Sequence, residues 1–258
     1  MPAPYAREVP RTSVRRRAAG VAGGSLLAAQ LLTGCSLGSA TADDGTTRLL
    51  LVGDSITQGR AGDWTWRYRL WQRLEQAGDQ DVDFVGPASD LEGDSVAYRD
   101  PDFDRDHAAW WGTPLTPPAY AVGSLGRVYR PDVAVIELGV NDLLKQHEAP
   151  ADVAAAMRDT VGTLRAAAPG LDVVLVHVPV VTIAGVEELN GLYDELAAEL
   201  DTEDQRVVVA YADVGFVSDP AAPASDSYDG LHPNESGEVK IADAVAAALL
   251  QLGIGEEA

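Results

Sequence analysis

Two short segments near opposite ends of the chain carry residue types that together could do nucleophilic chemistry. They are Gly-Asp-Ser-Ile-Thr-Gln-Gly at Gly53 to Gly59 and Asp-Gly-Leu-His-Pro-Asn at Asp229 to Asn234. A serine hydroxyl is a weak nucleophile until a base takes its proton, and the base works best when a third group orients it. Ser55, His232 and Asp229 supply those parts, in the chain order Ser, Asp, His. Gly230 and Pro233 disfavour a regular helix through the second segment, leaving a turn that can present Asp229 and His232 toward one point. Taken alone, Asp-x-x-His also fits a helix cap or a metal ligand, and Gly-Asp-Ser also fits an ordinary strand-to-helix turn.

A third segment, Gly-Val-Asn-Asp at Gly139 to Asp142, follows directly on the apolar run Pro131 to Leu138. If that run is a strand beside the one that precedes Ser55, the Asn141 amide can donate to an oxygen that gains negative charge during acyl transfer. The alternative is that Asn141 caps the helix after its strand. A fourth piece, Asp-His-Ala-Ala-Trp-Trp-Gly at Asp106 to Gly112, offers a glycine whose N–H can approach a ligand closely. Asp54, His107, Trp110 and Trp111 flank these groups and are candidates to line a substrate site.

The elements that must position these residues read as repeated βα units, which is the sign of a parallel sheet. Strands are expected at Leu49 to Val52, Val82 to Val85, Pro131 to Leu138, Val173 to Val178 and Val207 to Tyr211. Helices are expected at about 65–77, 151–168, 187–200 and 236–252. Ser55 then emerges at the carboxyl edge of the sheet, where open α/β folds place their sites.

With these four segments the chain resembles the SGNH, or GDSL, hydrolases, whose signature blocks contribute Ser, Gly, Asn and His in that order. The matching residues are Ser55, Gly112, Asn141 and His232, spread over about Leu49 to Leu252. Gly112 lies in the loosest block, and Gly123 or Gly126 could be mistaken for it. The resemblance implies a three-layer α/β/α sandwich, flavodoxin-like, with five parallel strands in the order 2-1-3-4-5. It also implies a Ser55-His232-Asp229 triad and an oxyanion hole built from the Ser55 N–H, the Gly112 N–H and the Asn141 side chain. No cofactor or metal is expected.

The amino terminus suggests export. Arg7, Arg11 and Arg15 to Arg17 form a basic region, Ala18 to Leu32 is mostly apolar, and the stretch ends in Leu32-Thr33-Gly34-Cys35. It resembles a bacterial lipoprotein signal peptide over 1–34, with lipid attached to Cys35, the only cysteine in the chain. A plain secretory signal is the alternative, and either general or twin-arginine export is compatible. A polar linker over 35–47 and a hydrolase domain over 48–258 follow, so the expected place is the outer side of the cell membrane. The chain has 40 acidic against 19 basic residues, a net charge of −21, which disfavours nucleic acid as a partner.

The tryptophans carry the only hint about substrate, because aromatic faces suit sugar rings. The stretch Trp66 to Leu74 followed by Val82 to Gly86 resembles the corresponding region of extracellular carbohydrate acetylesterases in the family. That favours short O-acyl esters, of a polysaccharide or a small molecule, over longer acyl chains. A noncatalytic glycan-binding lipoprotein is a third reading. His177, inside an apolar strand, is expected to be a buried, hydrogen-bonded histidine.

Overall fold

The computed structural model describes residues 45–78, 81–116 and 122–255. The expected signal peptide, Cys35 and most of the polar linker lie outside the described residues. The valine- and leucine-rich runs form β1 (Thr47–Gly53), β2 (Val82–Val85), β3 (Ala108–Ala109), β4 (Val133–Glu137), β5 (Asp172–Val176) and β6 (Val207–Ala210). Between them lie α1 (Ser55–Gln58), α2 (Trp66–Gln76), α3 (Val122–Tyr129), α4 (Pro150–Ala167), α5 (Val186–Leu200) and α6 (Glu235–Gln251). The strands run in the order β2-β1-β4-β5-β6, all parallel, with β3 paired to the end of β1.

This is the expected α/β sheet with one difference in detail. The five longer strands keep the expected order, and the two-residue β3 is added beside β1; it is too short and too alanine-rich to show in the sequence. Helix α3 was not expected either, because Gly123 and Gly126 lower helix propensity. Packing overrides that preference: a Cβ on Gly126 would sit 2.9 Å from the Ala167 side chain, so glycine lets α3 lie close against α4. Helices α2 and α6 pack together, and so do α3, α4 and α5, which gives two helical layers against the sheet. Both faces of the central strands are therefore covered, and Leu49, Leu50, Leu51, Val135, Ile136, Val174 and Leu175 are fully buried. Each such side chain stabilises the fold by roughly 1.5–3 kcal/mol.

Register decides what meets at the carboxyl edge. Gly53, the last residue of β1, is paired with Ala109 of β3 on one side and Glu137 of β4 on the other. The residues that follow, Asp54-Ser55, Trp110-Trp111-Gly112 and Leu138 to Asn141, thus leave the sheet at one level. The chain turns sharply after β1: a Cβ on Gly53 would sit 2.2 Å from Thr57 Oγ1, so only glycine permits that turn.

Two buried charged side chains hold the helices that frame this edge. Arg67 of α2 is fully buried and donates to the carbonyls of Thr57 (2.8 Å), Gln58 (3.1 Å) and Arg105 (3.0 Å), pinning the end of α1. Glu238 of α6 accepts the Thr65 N–H (2.9 Å) at the start of α2. Thr65 has φ of 73°, an unfavourable backbone for a β-branched residue, and this bond helps to hold it there. Burial raises the Glu238 carboxyl to about 7, with the Thr65 N–H and Arg69 opposing and Asp63 adding to the rise. Folded protein then keeps a proton that the unfolded chain releases near 4.5, so this group's contribution to stability falls as pH rises from about 4.5 to 7. Asp54, raised to about 7, and Asp106, raised to about 6, act in the same direction. Glu238→Gln keeps the acceptor for Thr65 and removes the titration. The thermal midpoint should decline less steeply between pH 5 and 7 in Glu238→Gln than in the parent; equal slopes would contradict the assignment.

Candidate active site

Ser55 is the first residue of α1, immediately past the Asp54 cap, whose Oδ1 accepts the Ile56 N–H at 2.9 Å. The loop bearing Asp229 and His232, between β6 and α6, is distant from it in sequence. That loop is closed by a bridge between Ser227 and Pro233, by Ser227 Oγ donating to the His232 carbonyl (2.7 Å), and by Asn234, which caps α6. His232 Nε2 lies 3.0 Å from Ser55 Oγ, and His232 Nδ1 lies 2.7 Å from Asp229 Oδ2. The other Asp229 oxygen accepts the N–H groups of His232 (2.8 Å) and Leu231 (3.0 Å). Burial opposes ionisation of Asp229, but the His232 ring and these backbone donors outweigh it and hold the carboxyl below its ordinary range. An ionised carboxylate only accepts, so Nδ1 carries the imidazole hydrogen and Nε2 is left to accept from the serine hydroxyl.

Asn141 lies on the far side of Asp54. Its Nδ2 donates to Asp54 Oδ2 at 2.6 Å and to the Thr113 carbonyl at 3.2 Å, and the side chain does not cap the turn that follows. Both amide hydrogens therefore have partners, and donation to a substrate oxygen requires the longer bond to be shared or exchanged. Asp54 and Glu137 form a buried acid pair beneath this group. Burial raises Asp54 to about 7, while the Ile56 N–H and Asn141 lower it. Burial and the adjacent Asp54 push Glu137 well above the carboxylate range, so it is the neutral partner, with its Oε2 accepting from Thr57 Oγ1 at 3.0 Å. Asp142, fully buried, accepts from Leu115 N–H, Thr116 N–H and Thr116 Oγ1, which ties the loop after β3 to the end of β4.

Trp111 is the flanking residue that meets the catalytic candidates directly: its ring stacks on His232 with centroids 4.4 Å apart. Its backbone N–H donates to Gln58 Oε1 (2.7 Å), which fixes the loop against α1. Gly112 follows with φ of 74°, a backbone that favours glycine, and a Cβ there would sit 2.9 Å from Lys145 Nζ. Gly123 and Gly126 lie in α3 instead.

Two expected substrate contacts, His107 and Asp54, are fully buried. His107 is fully buried, with Nε2 on the Asp90 carbonyl (2.8 Å) and Nδ1 accepting the Ala109 N–H (3.1 Å), and burial pushes its ring well below the ordinary histidine range. Asp54 is equally buried and serves as cap and anchor. Trp110 is partly buried, with one side against the hydrophobic core. His177 is buried, as expected, between Asp213 (2.9 Å) and Asp194 (3.3 Å). Tyr228, Arg60 and Asp63 complete the rim and escaped the sequence reading. Tyr228 directly precedes Asp229, and its aromatic type was the one available signal. A small pocket opens beside Ser55 and His232, lined also by Ile56, Asp63, Thr65, Trp66, Tyr228 and Glu238.

A family model described as the GDSL-like lipase/acylhydrolase family matches residues 51–239. A multidomain esterase of Ruminococcus flavefaciens is 29% identical over 221 residues, covering 76% of this chain but only 28% of that protein's length. The GDSL lipase Rv0518 of Mycobacterium tuberculosis is 26% identical over 202 residues, covering 76% of this chain and 78% of its own. Among solved structures, a carbohydrate esterase family 3 protein of Talaromyces cellulolyticus superposes with a TM-score of 0.68 at 27% identity, over 80% of this chain and 98% of that one. With the matched residues running from the core of β1 through the loop of Asp229 and His232, the chain belongs to the GDSL-like lipase/acylhydrolase family.

Proposed function

We propose that the chain is a serine esterase for short O-acyl esters, acetyl esters of carbohydrates foremost, acting from the outer face of a membrane. The observation that carries the reading is the hydrogen-bonded run from Asp229 through His232 to Ser55. In the proposed reaction Ser55 Oγ bonds to the carbonyl carbon and passes its proton to His232 Nε2. The tetrahedral intermediate collapses, the bond to the alcohol oxygen breaks, and His232 returns the proton to the departing alcohol. Water then attacks the acyl-enzyme, with His232 taking its proton and giving it to Ser55 as the carboxylic acid leaves. The Ser55 and Gly112 N–H groups and the Asn141 amide are the proposed oxyanion donors, Asn141 by shifting its hydrogen from the Thr113 carbonyl as charge develops.

The preference for short acyl groups has two supports. The hollow beside Ser55 and His232 is small, and polar Asp63 and Thr65 stand in its wall next to Ile56 and Trp66, which supports a short acyl group over a long one. The Talaromyces carbohydrate esterase and an acetyl esterase solved with acetate, 27% identical with a TM-score of 0.68, support the same direction. On p-nitrophenyl esters, turnover should fall steeply beyond about four acyl carbons, acetylated xylan should release acetate, and Ser55→Ala should lose nearly all activity with an unchanged fold. Faster cleavage of long-chain esters would favour lipolysis instead, and full activity of Ser55→Ala would overturn the mechanism.

Membrane attachment is proposed on the basic and apolar segments before Cys35 and the Leu32-Thr33-Gly34-Cys35 sequence. Up to about 40 Å of extended linker would then separate anchor and domain. Cys35→Ser should leave ester hydrolysis unchanged and release the protein from the membrane fraction; a variant as membrane-bound as the parent would refute the anchor.

A further inference from the structure

The His232 ring is held at its edges by Ser55 and Asp229, and its faces are also occupied. The Trp111 ring stacks on it with centroids 4.4 Å apart and planes inclined by 23°, and Tyr228 stacks at 5.7 Å and 16°. Both aromatics are themselves fixed. The backbone N–H of Trp111 is tied to the side chain of Gln58 in α1, the helix that begins with Ser55. Tyr228 donates its N–H to the His232 carbonyl (3.2 Å), and the Arg60 guanidinium lies 3.7 Å from its ring centroid. Arg60 in turn is set by Asp63, through Nε at 3.2 Å and the backbone N–H at 2.9 Å.

An imidazole turns broadly about its Cβ–Cγ bond, and two in-plane hydrogen bonds alone leave it free to rock out of the plane that joins them. Flat neighbours restrict that motion without competing for either nitrogen. Aromatic faces also favour the imidazolium that forms once His232 has taken the serine proton. We propose that Trp111 and Tyr228 are positioning residues that hold the His232 ring in line between Ser55 and Asp229, with Arg60 and Asp63 bracing Tyr228. The inference rests on the reading of Ser55, His232 and Asp229 as the reacting groups. It assigns to Trp111 a role other than that of a sugar platform.

The test is steady-state hydrolysis of p-nitrophenyl acetate by Trp111→Leu, Trp111→Phe, Tyr228→Leu and Tyr228→Phe, with Ser55→Ala as control. Each leucine variant should lower kcat about 10- to 100-fold with little change in KM, because a reacting group that is slightly misplaced loses rate rather than binding. The phenylalanine variants, which keep a ring to stack, should retain most of the rate. The downfield NMR signal of the His232 Nδ1 proton should broaden in the leucine variants alone. An unchanged kcat in Trp111→Leu, with KM raised only for an acetylated polysaccharide, would make Trp111 a substrate contact and overturn the proposal. Equal losses in the leucine and phenylalanine variants would overturn it as well. If the leucine variants do not fold, Arg60→Met removes the brace at the exposed end of the stack; a smaller drop in kcat with sharpness lost from the same proton signal is expected, and parental values would refute the brace. Full activity in Ser55→Ala would instead defeat the underlying mechanism.

Discussion

The contact between His232 and Ser55 joins side chains 177 positions apart, and most of the fold serves to keep that 3.0 Å distance. Ser55 is set by a sheet and a short helix; His232 is set by the loop between β6 and α6. The two sides are locked by different means. On the serine side, Asp54 caps α1, Gly53 permits the turn, and buried Arg67 ties down the Thr57 and Gln58 carbonyls. On the histidine side, the Asp226 carboxylate accepts the Val217 N–H (2.7 Å) and the Lys240 ammonium (2.6 Å), anchoring the loop to α6. Glu238 then links α6 back to the start of α2, so the two supports share one framework.

That framework uses buried acids in a place where burial is unfavourable. Asp54, Glu137 and Asp142 are fully buried near the ends of β1 and β4. Desolvation of a carboxylate costs several kcal/mol unless it is neutralised or fully hydrogen-bonded. Each acid meets that condition in its own way. Glu137 stays neutral, Asp142 accepts from two backbone N–H groups and a hydroxyl, and Asp54 accepts from Ile56 and Asn141. The result is a polar floor whose parts each hold a loop. It also explains why Asn141 is oriented by protein partners before any substrate oxygen arrives.

Much of this arrangement was legible in the sequence because the chemistry-bearing residues sit directly after valine- and leucine-rich strands. That pattern puts Ser55 and Asn141 each at the carboxyl end of a strand, the family resemblance made those strands neighbours, and the register of Gly53 with Glu137 agrees with it. Features that depend on distant contacts were not legible. Strand β3 exists because two alanines pair with β1, and α3 exists because glycines suit its close packing on α4. Arg67 carries a charge within the apolar stripe of Trp66, Leu70 and Leu74, a signal for a buried clamp that nothing local could interpret. His107 and Asp54 looked available because they adjoin the motifs, yet neighbours in sequence can face inward. Trp111 was noticed as an aromatic near the site, but only the folded loop shows that its ring meets His232.

An activated serine can be recognised by its reactivity independently of any substrate, and this bears most directly on the central claim. Purified protein treated with a fluorophosphonate, then digested and analysed by mass spectrometry, should carry one adduct, on Ser55. Labelling should slow greatly in His232→Asn, because the hydroxyl then lacks its base. Absence of an adduct on Ser55, or labelling at the same rate without the imidazole, would contradict the account.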